Sequence, residues 1–331
     1  MNARWRIAVL GDGGWGTTLA MYLHRLGHDV RWWSAFAANA QRVNRTRRNP
    51  TFLPGIPIPR GLQLTSDLAE AADARALIVL AVPSRYLRSV ARRLAGHAPR
   101  AAALLSVAKG LERSTGRRMS EVIREELGSR PVAVLSGPNI AMEIARGEPA
   151  SSVVASRDAA LARAIQRAVL SDQLRVYTST DVTGVELGGA LKNSIAIGAG
   201  ILDGLRLGSN AKSALITRGL AEMARLGVAM GARAETFAGL SGLGDLITTC
   251  WSGRNHWLGE QIGKGRALRA VLASTPMVIE GVETAKAAVM LGRRYRVELP
   301  IIEQVHAVLF QRRPVREALR RLMQRAGRAE Y

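Results

Sequence analysis

The chain has 331 residues, 47% of them hydrophobic, which suffices for two domains with separate cores and excludes wholesale disorder. No apolar run approaches the roughly 18 residues of a membrane-spanning helix, so no integral membrane association is expected. The formal net charge of +21 is spread along the chain as arginines without interleaved aromatics, which favours anionic metabolites and predicts no specific nucleic-acid binding.

Arg6 to Leu10 reads as a short buried strand, too brief for the core of a signal peptide. Gly11-Asp12-Gly13-Gly14-Trp15-Gly16 follows, then helical periodicity from Thr17 to Leu26 and a second strand from Asp29 to Trp33. Strand, G-x-G-x-x-G turn, helix and strand form the opening of a Rossmann unit. Gly11 permits the tight turn, Gly13 lets the backbone approach a pyrophosphate, and Gly16 lets the helix lie close to the strand. The helix N-terminus then meets the diphosphate with free amides and a favourable dipole. Asp12 is expected to turn its carboxylate away from that anion. The end of the second strand, Trp32-Trp33-Ser34-Ala35-Phe36, lacks the usual acidic residue for the adenosine ribose. Arg31, Arg42 and Arg45 lie nearby for a 2′-phosphate, so the cofactor is NADP or NAD with a lean towards NADPH.

The turn-forming segment Asn49 to Gly55 reads as a lid-like loop or a plain connection. A strand from Leu77 to Val82, a helix from Arg85 to Leu94 and a strand from Ala103 to Val107 come next. A helix from Met119 to Leu127 and a strand from Val132 to Leu135 continue the alternation, with late strands at Val153-Val154 and Leu174 to Tyr177. Such alternation implies a doubly wound parallel sheet covered on both faces. Lys109, Ser136, Gly137 and Asn139 fall just past strand carboxyl ends, where open α/β sheets bind ligands. Lys109 is equally readable as a solvated loop lysine.

Strand patterns vanish near Val182, giving an expected division into residues 1–182 and an all-α domain of residues 183–331. The helix from Val185 to Leu202 is crowded with glycine and alanine, and each glycine costs a helix about 1 kcal/mol against alanine. Some other element must therefore approach it closely. Lys192 and Asn193 share a face with Gly189 and Ala196. Only five lysines occur, at 109, 192, 212, 264 and 286, and every other cation is arginine. A lysine among small residues is either partly dry and suited to proton transfer or snorkels to water. Gly244-Asp245-Leu246 precedes Thr248 and Thr249 by one helical turn. Gly253-Arg254-Asn255 opens a helix from His256 to Gly263, as a phosphate grip or as an ordinary helix start. The basic amphipathic stretch Arg312 to Arg328 reads as a solvated face rather than a membrane anchor. Five histidines show no metal-ligand spacing, so no metal is expected. Cys250 stands alone, which excludes an internal disulfide and agrees with a cytoplasmic location.

In this order and spacing, Gly11 to Gly16, Lys109-Gly110-Leu111, Ser136-Gly137-Pro138, Lys192-Asn193, Gly244-Asp245-Leu246 with Thr248-Thr249-Cys250, Gly253-Arg254-Asn255 and Val278-Ile279-Glu280-Gly281 resemble the NAD(P)-dependent glycerol-3-phosphate dehydrogenase family of the bacterial type. The resemblance covers nearly the whole chain. It implies an N-terminal Rossmann domain, a helical catalytic domain and a homodimer. It implies interconversion of dihydroxyacetone phosphate and sn-glycerol 3-phosphate, chiefly for phospholipid synthesis. Lys192 would be the general acid/base at the C2 oxygen, Asp245 its electrostatic partner and a substrate contact. Lys109 would lie between cofactor and substrate. Arg254 and Asn255 would hold the phosphate, with Gly137, Asn139, Asn193, Thr249 and Gly253 completing the substrate site. Gly11, Gly13, Gly14, Trp15, Gly16, Ala35, Lys109, Ala141, Arg254, Val278 and Glu280 match cofactor positions.

Three positions depart from that pattern. Asn139 stands where a Ser or Thr is usual, Gly253 where a Ser is usual, and Ala35 where many members carry a basic or polar cofactor contact. The competing readings are another Rossmann-plus-helical β-hydroxyacid dehydrogenase and a basic nucleotide- or nucleic-acid-binding protein.

Overall fold

A computed structural model describes residues 4–327 and 329. The chain divides into two compact units, residues 1–109 with 117–186, and residues 110–116 with 187–331.

The first unit opens with β1 (Arg6–Leu10), α1 (Gly14–Arg25), β2 (Asp29–Trp33) and α2 (Ala37–Thr46). A small antiparallel pair follows, β3 (Arg48–Asn49) with β4 (Leu53–Pro57), then β5 (Leu64–Thr65) and α3 (Leu68–Ala72). The segment expected to be a lid or plain connection thus contains a hairpin. Next come β6 (Leu77–Leu80), α4 (Ser84–Leu94), β7 (Ala103–Ser106), α5 (Met119–Leu127), β8 (Val132–Ser136) and α6 (Ala141–Arg146). β9 (Ala150–Ala155), α7 (Ala159–Val169) and β10 (Leu174–Ser179) end the unit's alternation.

Among the described residues one sheet runs in the order β10-β9-β8-β7-β6-β1-β2-β5. Every pairing is parallel except β8 with β9. The expected parallel sheet is present with one exception: β9 and β10 run against the rest. Alternate residues of the central strands face opposite layers. Ile7, Val9, Leu77 and Val79 join one core with Leu19 and Leu23 of α1 and Ile165 of α7. Ala8, Leu10, Ile78 and Leu80 join another with Leu87 of α4 and Ile123 of α5. Burial on both faces is why these strands read as continuous apolar runs. β1 lies between β2 and β6, so the strand order reverses at its carboxyl end.

The second unit is helical. α8 (Val182–Gly204) is followed by α9 (Ser209–Ala229), α10 (Ala234–Ala238), a π-helical turn (Leu240–Gly244) and α11 (Asp245–Trp251). Then come α12 (Arg254–Gly263), α13 (Leu268–Ala273), α14 (Glu280–Tyr295), α15 (Pro300–Phe310) and α16 (Val315–Met323). The basic helix expected over 312–328 is confined to α16, and Arg328 lies outside the described residues. No helix among the described residues is long and apolar enough to cross a membrane.

The crowding of α8 has a physical cause. Gly188, Lys192, Ala196, Gly200 and Gly204 form one row at four-residue spacing, the ridge along which helices pack. A Cβ at Gly188 would lie 2.6 Å from Ser241 O in the π-helical turn. At Gly200 and Gly204 it would lie 2.0 Å from His256 O and 2.4 Å from Glu260 O of α12. From α12, Gly259 and Gly263 return the contact, with Cβ positions 2.0 Å from Ile197 O and 2.5 Å from Ile201 O. The two backbones touch.

Candidate active site

In the first unit the glycine turn sits where the strand order reverses, the place where open α/β sheets take their ligands. Gly11 has φ +129°, and a Cβ there would meet Ala81 O at 2.6 Å. Gly16 packs against Gly11, where a Cβ would fall 2.2 Å from its carbonyl oxygen. Gly13 differs from both, because a Cβ there meets no protein atom within 4 Å. Its side is open, as the approach of a pyrophosphate requires, and no side chain caps α1.

The turn is braced from several directions. Trp32 Nε1 donates to Gly11 O at 2.8 Å, and Asn49 Nδ2 donates to Asp12 O at 2.7 Å. A Cβ at Gly14 would lie 2.7 Å from Phe52 O and 3.7 Å from Ala141 Cβ, so the hairpin and α6 both reach the turn. Thr18 Oγ1 also donates to Ala141 O at 3.0 Å. Trp15 Nε1 is buried with no hydrogen-bond partner among the described residues. The Asp12 carboxylate accepts from Ser34 Oγ at 2.6 Å and from Asn39 Nδ2 at 2.5 Å, which turns it to the end of β2. Ala35 is exposed beside it.

Past β7 and β8, Lys109 Nζ donates to Gly137 O at 2.7 Å, so Lys109 is no freely solvated loop lysine. Gly137 has φ +143°, and a Cβ there would meet Ser151 O at 2.9 Å. Asn139 is engaged with β9: its Nδ2 donates to Ser151 O at 3.2 Å and its Oδ1 accepts from Ser152 Oγ at 3.0 Å.

In the second unit Lys192 is 5% exposed, and among the described lysines it alone is buried. Its ammonium donates to Asp245 Oδ1 and to Thr249 Oγ1. Asp245 is 2% exposed, and the two side chains form a buried ion pair. The snorkelling alternative is therefore excluded. The Thr249 hydroxyl donates onward to Asp245 O at 2.7 Å, and Thr248 Oγ1 to Gly244 O at 3.0 Å. Cys250 follows, buried, and burial pushes its thiol up to about 12. It stays protonated and is no nucleophile.

Gly253 has φ +92° and caps α12 without a side-chain hydrogen bond, leaving first-turn amides available to an anion. Arg254 is exposed and donates through Nη1 to Val278 O at 2.9 Å. Asn255 points inward: Nδ2 donates to Asn193 Oδ1 at 2.8 Å, and Oδ1 accepts from Gly281 N at 2.9 Å. Val278 and Ile279 lead into α14, of which Glu280 is the first residue. Asn193 and Asn255 thus tie α8, α12 and α14 together. The side-chain amide of Asn255 is therefore engaged within the second unit.

Sequence reasoning missed three groups. Asn49 straps the glycine turn, Asn39 orients Asp12, and Asp203 accepts from Lys212 Nζ and faces His256 Nε2, each at 2.6 Å. Their partners are distant in the chain, so no local pattern announces them.

The residues fit a dinucleotide on the first unit and a proton donor with an anion grip on the second. Comparison with known proteins agrees. Residues 6–162 match the family model for the N-terminus of NAD-dependent glycerol-3-phosphate dehydrogenase, and residues 181–320 match that for its C-terminus. The chain is 46% identical over 329 residues to a glycerol-3-phosphate dehydrogenase [NAD(P)+] of Fusobacterium nucleatum, covering 98% of each. It is 47% identical over 330 residues to the one of Geobacter sp. strain M21, again covering 98% of each. The crystal structure of glycerol-3-phosphate dehydrogenase from Coxiella burnetii superimposes with a TM-score of 0.94 at 36% identity, over 97% of this chain and 99% of that one. The chain belongs to the NAD-dependent glycerol-3-phosphate dehydrogenase family, whose cofactor is NAD or NADP.

Proposed function

We propose that this protein is an sn-glycerol-3-phosphate dehydrogenase that interconverts dihydroxyacetone phosphate and sn-glycerol 3-phosphate. The observation that carries the reading is the buried Lys192–Asp245 pair with Thr249 on the same ammonium. In this reading residues 1–182 hold the dinucleotide and residues 183–331 hold the substrate and perform the proton transfer.

When bound, the reduced nicotinamide supplies a hydride to the substrate C2 carbon. As the C2 carbonyl double bond opens, negative charge collects on its oxygen, and Lys192 delivers the proton that makes it a hydroxyl. Asp245 and Thr249 hold the ammonium in one orientation, so little reorganisation accompanies the transfer. In the oxidative direction the neutral amine of Lys192 takes the hydroxyl proton. Arg254 and the uncapped amides of α12 hold the phosphate, with the fork of the guanidinium suited to two of its oxygens. Lys109, fixed on Gly137 O, contributes a further cation. Trp15, Ala35, Ala141, Val278 and Glu280 are assigned to the cofactor, while Gly137, Asn139, Asn193 and Gly253 shape the substrate site.

We extend the reading to a cytoplasmic homodimer that supplies sn-glycerol 3-phosphate for phospholipid synthesis. Purified protein should consume NADH or NADPH absorbance on addition of dihydroxyacetone phosphate. Folded protein that turns over neither cofactor would remove the activity. Light scattering on the same sample tests the dimer.

A further inference from the structure

We propose that Lys212 and Asp203 are positioning residues for the substrate phosphate: they tie together the two flanks of the turn that presents Arg254 and the first amides of α12. The proposal rests on the dehydrogenase reading above and deepens its phosphate grip. α11 ends at Trp251 and α12 begins at Arg254, with only Ser252 and Gly253 between them. All of these residues, from Trp251 to Arg254, are exposed. Gly253 has φ +92°, and a Cβ there would meet nothing within 4 Å, so the turn is open at its apex. Ser252 Oγ donates back to Thr248 O at 3.1 Å, a bond that stays on the α11 side.

Beyond the turn α12 is set by backbone contact, because a Cβ at Gly200 would lie 2.0 Å from His256 O. From that fixed point a chain of side chains leads back across the turn. His256 Nε2 donates to Asp203 Oδ2 at 2.6 Å, near the end of α8. Lys212 Nζ, in the first turn of α9, donates to the same oxygen at 2.6 Å. Lys212 Nζ also lies 5.0 Å from the centre of the Trp251 ring, within cation–π reach. Burial pushes the Asp203 carboxyl up, but the hydrogen bonds from Lys212 and His256 outweigh it and hold the carboxyl below its usual range. It is therefore a carboxylate at neutral pH, and His256 Nε2 carries the proton between them. One ion pair thus links His256 on one flank to Trp251 on the other. Ordering a loop on ligand binding costs conformational entropy, and a turn held beforehand avoids that cost. The Lys192 ammonium is held separately, by Asp245 and Thr249 of α11, so loosening the turn acts on binding rather than on proton transfer.

The test separates binding from chemistry. Lys212→Met removes the cation, Asp203→Asn removes the charge it pairs with, and Lys212→Arg keeps both the pairing and the stacking on Trp251. In steady-state assays of the full-length protein, Lys212→Met and Asp203→Asn should each raise the KM for dihydroxyacetone phosphate about tenfold, the equivalent of ordering roughly one further residue on binding. Their kcat should stay within about twofold of the parent. Inorganic phosphate, as a competitive inhibitor, should weaken by the same factor, while the KM for the reduced nucleotide holds. Lys212→Arg should restore the parent KM. Either of the first two variants carries the test should the other fail to fold. An unmoved KM, a kcat that falls as far as the KM rises, or a Lys212→Arg protein as impaired as Lys212→Met overturns the proposal and leaves the dehydrogenase reading standing. Parent protein that does not turn over dihydroxyacetone phosphate overturns that reading, and the proposal with it.

Discussion

Lys192→Met removes the ammonium that pairs with Asp245, a side chain that is 2% exposed. Removing one member of a buried ion pair typically costs about 3–5 kcal/mol, since the other charge stays dry and uncompensated. Replacing both members with apolar side chains of similar volume is often close to neutral. Lys192→Met should therefore lower unfolding stability by about 3 kcal/mol or more, and adding Asp245→Leu should recover most of it. Urea unfolding followed by tryptophan fluorescence reads this directly. Lys192→Arg separates charge from proton transfer: a guanidinium keeps the pairing but does not release its proton at working pH. That variant should stay within about 1 kcal/mol of the parent, allowing for the larger head group, while turnover falls by roughly 10²–10⁴. A Lys192→Met protein as stable as the parent would refute the dry pair. An active Lys192→Arg protein would refute the proton-transfer role.

Three further outcomes follow from particular contacts. Arg254→Ala should raise the KM for dihydroxyacetone phosphate about tenfold or more, from the loss of a charge-assisted phosphate contact; an unchanged KM in steady-state assays would place the phosphate elsewhere. Gly259→Val should destabilise the protein by about 3 kcal/mol, because a Cβ there has Ile197 O only 2.0 Å away; an unchanged melting temperature would mean that α8 and α12 do not touch. Glu222 is buried and accepts from Ile301 N and Ile302 N at the start of α15, and burial pushes its carboxyl up to about 7 from 4.5. Between those values the folded state holds one proton more than the unfolded state, so this group's contribution to stability falls as pH rises. The parent should lose about 3 kcal/mol relative to Glu222→Gln from pH 4.5 to 7 and no more above it; parallel stability curves for the two proteins would refute the shift.

The first unit was legible because its signals are local. β1 and β2 are bounded by the residues that hydrophobic runs and turn formers marked, and the glycine turn falls between them. The antiparallel course of β9 was not legible, since a strand buried on both faces has the same apolar pattern whichever way its neighbour runs. The direction of a side chain was equally hidden where a remote partner decides it. Asn255 belongs to a phosphate-gripping motif by sequence, yet Asn193 and Gly281, 62 and 26 residues away, take its amide inward. Lys192 had two readings until Asp245, 53 residues on, selected one.

The glycines of α8 connect these cases. Each costs the isolated helix about 1 kcal/mol, and sequence alone shows that cost without its return. Gly188 admits the π-helical turn that leads into Asp245, and Gly200 and Gly204 admit α12, whose start presents Arg254 and its uncapped amides. Lys192 stands between them in the same four-residue row. Backbone contact therefore fixes both the Asp245 carboxylate and the start of α12 relative to the Lys192 ammonium, with little dependence on flexible side chains. Under the proposed roles, a bulkier residue in that row disturbs Asp245 or the start of α12 before it touches the lysine, so its first effect should be on kcat at Gly188 and on KM at Gly200.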